Sequence, residues 1–191
     1  MRRMARLQFV QVWACDLRTI AEPCGDHTYE FRPFDADDLC RLAADPANDL
    51  PSEVALQLAD DGHQCFGALD GPNLVCYVWC AQRNISPEHT MGIPFSLPAD
   101  ACYLFKAFTV PAYRGRRLYN LTARRTMVEL CRLGKTRGIA LIEYGNRASM
   151  RSHDRIGMQP QGWIASLGRG RRACRWYAAA VRQCGFGNPL T

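Results

Sequence analysis

Lysine is nearly missing from this chain, which carries Lys106 and Lys135 against 22 arginines. Its positive charge is therefore almost all arginine, and position along the chain is more informative than residue type. No Cys-x-x-Cys occurs despite ten cysteines. The closest pair is Cys76 and Cys80, and His63 and Cys65 stand near each other with nothing to complete a second pair. The four clustered ligands of a structural zinc site are thus lacking, and no metal is expected. Most cysteines fall in apolar stretches and read as small core residues in a reducing compartment. No apolar run approaches the ~20 residues that a membrane-spanning helix needs. There is no internal repeat and no low-complexity segment. What is present is 191 residues with 48% hydrophobic content. That excludes global disorder and suffices for one domain with a sizeable core.

The opening residues need one check. Met1-Arg2-Arg3 and the run 7–15 outline a lipoprotein leader. Gln8 and Gln11 interrupt the run, however, and Trp13 stands where a small residue would precede a lipidated cysteine. The segment reads better as a short strand over 7–12, and a cytoplasmic location is expected.

Charge is distributed unevenly. Residues 1–113 hold 8 basic and 15 acidic groups, and residues 114–191 hold 16 and 3. A second half this basic points to an anionic partner: a nucleic acid, a phosphorylated cofactor or an acidic protein. The turn 168–172 (Gly-Arg-Gly-Arg-Arg), with Arg175 and Trp176 beyond it, is one basic patch. No nucleic-acid reading motif accompanies it, so sequence-specific nucleic-acid binding is not expected; a solvated hairpin turn is the plainer reading.

Local patterning predicts strands over 29–34, 64–69, 74–82, 102–110, 138–144, 161–167 and 174–181. Helices are predicted over 36–44, capped by Asp35, and over 52–58, 118–133 and 146–156. The strand 74–82 is apolar on both faces and so belongs inside a sheet. Residues 83–100 form a long loop with Pro87, Pro94 and Pro98, and it carries Glu88, His89 and Asp100 as candidate polar groups.

The informative passage is the strand ending at Val110, the Arg-Gly turn after it, and the basic helix that follows. A helix start presents unpaired N–H groups and a partial positive charge, which suits phosphate. Gly115 permits close backbone approach, and Arg114, Arg116 and Arg117 add charge. Segment 114–137 carries eight basic groups against Glu129 alone. Taken alone, the same pattern also fits a solvated helix face.

Residues 109–118, Thr-Val-Pro-Ala-Tyr-Arg-Gly-Arg-Arg-Leu, resemble the acetyl-CoA motif of the GNAT N-acetyltransferase superfamily. There a strand ends in Val-x-Pro and a Gln/Arg-x-x-Gly-x-Gly/Ala loop wraps the pyrophosphate. Downstream, Asn146, Ser149, His153, Gly157 and Met158 keep the spacing of the second family signature, and the resemblance covers roughly residues 29–180. It implies an α/β (α+β) fold in which a mixed, mostly antiparallel sheet is flanked by helices. Splayed central strands would form the CoA cleft in a domain over 29–191, preceded by an extension over 1–28 with an extra strand. Three departures stand out: Arg117 and Tyr119 replace the two small residues of the loop, and His153 stands where the family commonly has tyrosine.

The implied activity is acetyl transfer from acetyl-CoA to a primary amine by direct attack. The alternatives are longer acyl-CoA or acyl-carrier-protein donors, for which the apolar stretch 91–97 could open, or a degenerate, non-catalytic domain that binds nucleic acid or protein through its basic half. By position, the backbone N–H of Val110 or Phe108 would polarise the thioester. Arg114, Gly115, Arg116, Arg117 and Leu118 would hold the pyrophosphate, and Asn146 would lie along the pantetheine arm. His153 would protonate the departing thiolate, and Glu143 would deprotonate the amine. Plainer roles are a structural histidine and a strand carboxylate paired with arginine. Tyr103 and Lys106 would line the acceptor pocket. The implied partners are a small-molecule or protein amine, with a carrier protein or a second copy of the chain as further candidates, and no membrane.

Overall fold

The computed structural model describes residues 7–23, 28–168 and 173–187. One eight-stranded sheet organises the chain. Its strands are β1 (Leu7–Asp16), β2 (Glu30–Phe34), β3 (Gln64–Asp70), β4 (Asn73–Ala81), β5 (Ala101–Thr109), β6 (Arg137–Glu143), β7 (Gln159–Leu167) and β8 (Cys174–Tyr177). They lie in the order β2-β3-β4-β5-β6-β1-β7-β8. Every neighbouring pair is antiparallel except β5 and β6. The helices are α1 (Ala36–Ala43), α2 (Ser52–Asp60), α3 (Leu118–Arg132) and α4 (Arg147–Arg155).

Each sheet face buries its own set of side chains, as the two-residue period of a strand requires. Tyr77, Trp79, Tyr103, Phe105 and Leu141 pack with Leu39, Leu42 and Leu58 of α1 and α2. Val78, Cys80, Leu104, Ala140 and Ile142 pack with Ala123, Met127 and Leu130 of α3. From Leu74 to Ala81 every residue of β4 is buried, as its two-sided apolar run predicts. Asp35 caps α1 by accepting from the Asp38 N–H at 2.8 Å.

Three features go beyond the local patterns. The first strand runs to Asp16 and lies inside the sheet, bonded to β6 on one side and β7 on the other. The predicted strand 174–181 stops at Tyr177, and Ala179–Cys184 forms a 3₁₀ helix that buries Val181 and Cys184. The long loop folds back on that segment: Phe95 stacks on Phe186 at 4.3 Å, and the Ser96 N–H donates to the Gly185 carbonyl. Gly185 has φ +93°, and a Cβ there would lie 2.0 Å from the Ser96 carbonyl oxygen, so only glycine fits. In the basic turn 168–172, residues 169–172 lie outside the described residues.

The parallel pairing of β5 and β6 is short. It joins Ala101–Leu104 to Arg137–Ala140 and ends there, while β5 continues to Thr109 and β6 to Glu143. On its other side β5 pairs Trp79 with Phe105 but Tyr77 with Phe108, which places an extra residue at Lys106–Ala107. Lys106 takes φ +43° at this bulge. Bulges bend a strand and end pairing, and this one carries β5 away from β6. The gap opens toward the start of α3.

Candidate active site

The gap between β5 and β6 is a cleft of about 360 Å³. Phe105, Lys106 and Phe108 form one side, Ala140 and Leu141 the other, and Asn146, Ser149 and His153 of the α4 segment close it. A second compartment of about 270 Å³ adjoins it at the start of α3, lined by Arg114, Gly115, Arg117, Leu118 and Asn120. Tyr119, Thr109 and Ser152 border both.

The second compartment has the physics of an anion site. Leu121 N–H donates to the Arg117 carbonyl, which closes the first helical turn, and no side chain caps α3. The N–H groups of Leu118, Tyr119 and Asn120 therefore start the helix without intrahelical acceptors. Gly115 and Arg117 both adopt left-handed backbone, with φ +81° and +59°. Arg117 thus keeps the conformation that a glycine at its motif position would take, at a steric cost of ~1–2 kcal/mol. Arg114 is fixed by its Nε donating to the Thr109 carbonyl at 3.0 Å, with its guanidinium over the Phe108 ring.

Other predicted site residues are placed elsewhere. Arg116 turns toward Tyr29 and Tyr113 and lines neither compartment. The Val110 N–H donates to the Val75 carbonyl at 3.0 Å, so it is not free to polarise a thioester. In an antiparallel ladder bonded pairs alternate. The Tyr77–Phe108 pair is the next bonded step, and it turns the Phe108 N–H toward β4 as well. By the same alternation the Thr109 N–H turns away from β4 toward the gap, while at Lys106–Ala107 the bulge interrupts the ladder. Glu143 is exposed at the end of β6 and shares its alternation with Ile139 and Leu141, away from α4. Asp100 pairs with Arg137 at 2.8 Å, and the Arg137 guanidinium holds its carboxyl down to about 2. Tyr103 is buried and donates to the His89 carbonyl.

His153 is buried and engaged at both ring nitrogens. Nδ1 lies 2.8 Å from the Ser149 carbonyl oxygen, which can only accept, so Nδ1 carries the hydrogen. Nε2 is then a lone pair and accepts the Tyr119 hydroxyl at 3.1 Å. Burial lowers the imidazole pKa and raises that of the Tyr119 phenol. At neutral pH the pair is therefore a phenol and a neutral imidazole, and His153 holds no proton directed at the cleft. Asn146 caps α4 by accepting from the Ser149 N–H at 3.1 Å, which orients the helix that carries His153. Tyr119 is the residue that sequence reading missed. In the motif it registers only as bulk in place of a small residue, and nothing in the linear order shows that it meets a histidine on another helix.

Among the described residues no three His, Cys, Asp or Glu side chains converge as a metal site would require. No helix among them is long and apolar enough to cross a membrane.

No family model matches the sequence, and no curated protein matches it. Solved structures match its fold. A putative GNAT-family acetyltransferase from Novosphingobium aromaticivorans aligns at TM-score 0.60 and 15% identity, over 88% of this chain and 67% of that one. A GCN5-related N-acetyltransferase from Kribbella flavida aligns at 0.60 and 11%, over 87% and 60%. A GCN5-related glucosamine N-acetyltransferase region of a fungal multi-domain β-N-acetylglucosaminidase aligns at 0.62 and 13%, over 86% and 21%. The chain thus has the GNAT acetyltransferase fold and spans only part of each of these longer proteins.

Proposed function

We propose that this protein transfers an acetyl group from acetyl-CoA to a primary amine by direct attack. The observation that carries the proposal is the continuity of the two compartments. An uncapped helix start with Arg114 and Arg117 suits a pyrophosphate, and it opens into a narrow gap suited to a pantetheine arm. Fixing both reactants in one cleft supplies much of the rate of such a transfer.

In this reading the gap-facing amides of β5 stabilise the negative charge that builds on the thioester oxygen. The amine forms the new C–N bond, and the C–S bond breaks with its electron pair on sulfur. As nitrogen becomes cationic its proton passes to Tyr119 Oη while the phenol proton passes to His153 Nε2. The reverse movement then delivers a proton to the thiolate. His153 acts through Tyr119, and no net proton is gained or lost by the pair. Glu143 has no part in this path.

The test is calorimetric titration of acetyl-CoA together with a thiol-release assay over a panel of amines. Acetyl-CoA should bind, and Arg114→Glu should weaken it strongly by setting a carboxylate beside phosphate. Unchanged affinity in that variant would remove the pyrophosphate from this loop, and no thiol release with any amine would remove the enzymatic reading.

A further inference from the structure

Lys106 is the one formal charge on the wall of the cleft between β5 and β6. It is exposed there, at the bulge where the strand takes its left-handed step. The side chains around it are apolar or neutral: Phe105, Leu141, Asn146 and Ser149, with His153 in its neutral form. Among the described residues no aspartate or glutamate lines this cleft or the compartment at the start of α3. Glu143 ends β6 on the opposite alternation and does not supply one.

The Lys106 ammonium is also unengaged. The chain's other lysine, Lys135, donates to the Gln82 and Ala99 carbonyls at 3.0 and 2.9 Å. Lys106 makes no hydrogen bond or ion pair among the described residues. Nor do the donor's phosphates reach it in the reading above, which sets them at Arg114 and Arg117. The strand from Lys106 to Thr109, where the two compartments meet, spans ~10 Å. That is about one Debye length at ~0.1 M salt, so phosphate at the far end leaves Lys106 largely uncompensated. A cleft walled by one sign of charge draws the opposite sign and repels its own. A polyamine or a basic peptide would bring further ammonium groups here with no carboxylate to meet them.

We infer that Lys106 selects the acceptor, an amine that also carries an acidic group, with the carboxylate or phosphate on the Lys106 ammonium and the amino group left facing the thioester. The inference rests on the acyl-transfer reading above and concerns the acceptor, not the donor. It follows from the balance of charge in the cleft: arginines at one end for the donor, a single free cation at the other, and no acid in between.

Thiol release by the full chain at saturating acetyl-CoA tests this with paired acceptors. The pairs are α-amino acids beside their carboxamides, and phosphoethanolamine beside ethanolamine, with spermidine as the polycation. The acid-bearing member should have a kcat/KM at least ~5-fold higher, the scale of one partly solvated ion pair, and added salt should narrow the gap. Amidation lowers the basicity of the amine and enlarges its reactive free-base fraction, so it works against the expected order. A preference confined to the amino acids assigns a carboxylate, and one confined to phosphoethanolamine assigns a phosphate. Lys106→Gln should bring the members of a pair together, chiefly through KM, and Lys106→Arg should keep them apart. Neutral or polycationic amines turned over as well as the acidic ones overturn the Lys106 site and leave acyl transfer standing. A preference that Lys106→Gln leaves intact does the same. No thiol release with any amine overturns the two together.

Discussion

Lowering the pH from 7 toward 5 should destabilise this protein through two buried histidines, His153 and His63. Each is only 6–7% exposed, and burial lowers each imidazole pKa below its ordinary 6.5. For His63, Asp61 opposes the shift while His89 and Arg83 add to it. In the unfolded chain both take up a proton near pH ~6.5, whereas in the folded chain both stay neutral to lower pH. The unfolded state then binds more protons, so stability falls as pH drops below about 6.5 and stops falling below the folded pKa. Each histidine contributes a slope of at most ~1.4 kcal/mol per pH unit.

Carboxylates act in a separate window. Asp38, held down chiefly by Arg32, and Asp100, held down by Arg137, keep their folded pKa values below the ordinary range. Their stabilisation is present above ~3.9 and is lost only as pH falls toward the folded values, well under pH 5. Urea unfolding at intervals between pH 7.5 and 5 should therefore show a falling free energy, and His153→Gln and His63→Gln should each flatten it. The refuting results are a slope that both variants leave intact, or an NMR titration of the His153 ring with a midpoint at or above 6.5. The second would also remove the neutral imidazole from the proposed proton path.

Two further outcomes follow from the geometry. Tyr119→Phe removes the hydroxyl that joins His153 to the cleft and should lower kcat by ~10²-fold or more with little change in acetyl-CoA affinity; steady-state kinetics on an accepted amine checks this, and a wild-type rate would leave Tyr119 as packing. Gly185→Ala places a methyl 2.0 Å from the Ser96 carbonyl oxygen and should cost ~1–3 kcal/mol, read as a lower Tm, because backbone and not a flexible side chain must move.

Much of the architecture was legible in the linear order because it depends on local chemistry. The two-sided apolar run of β4, the Asp35 cap of α1 and the Arg-Gly turn before α3 are each written within a few consecutive residues. The pairing of motifs around 109–118 and 146–158 carried the fold class, since their spacing allows one helix and one strand between them. The candidate anion site could be read from Arg114, Gly115 and a helix start, for which the backbone alone supplies donors.

The chain order could not reveal where the proposed proton path lies. Whether His153 carries a proton depends on the acceptor that faces Nδ1, the hydroxyl that meets Nε2 and the depth of burial, and the tyrosine that decides it sits 34 residues away. The bonding of the Val110 N–H was likewise invisible, because a ladder's phase is set by the partner strand and by the bulge at Lys106. Sequence by itself determined which elements form and which helix start presents unpaired donors among arginines. Only tertiary packing decided which donors remain free, because hydrogen-bond saturation and burial depend on what the rest of the chain brings to each atom.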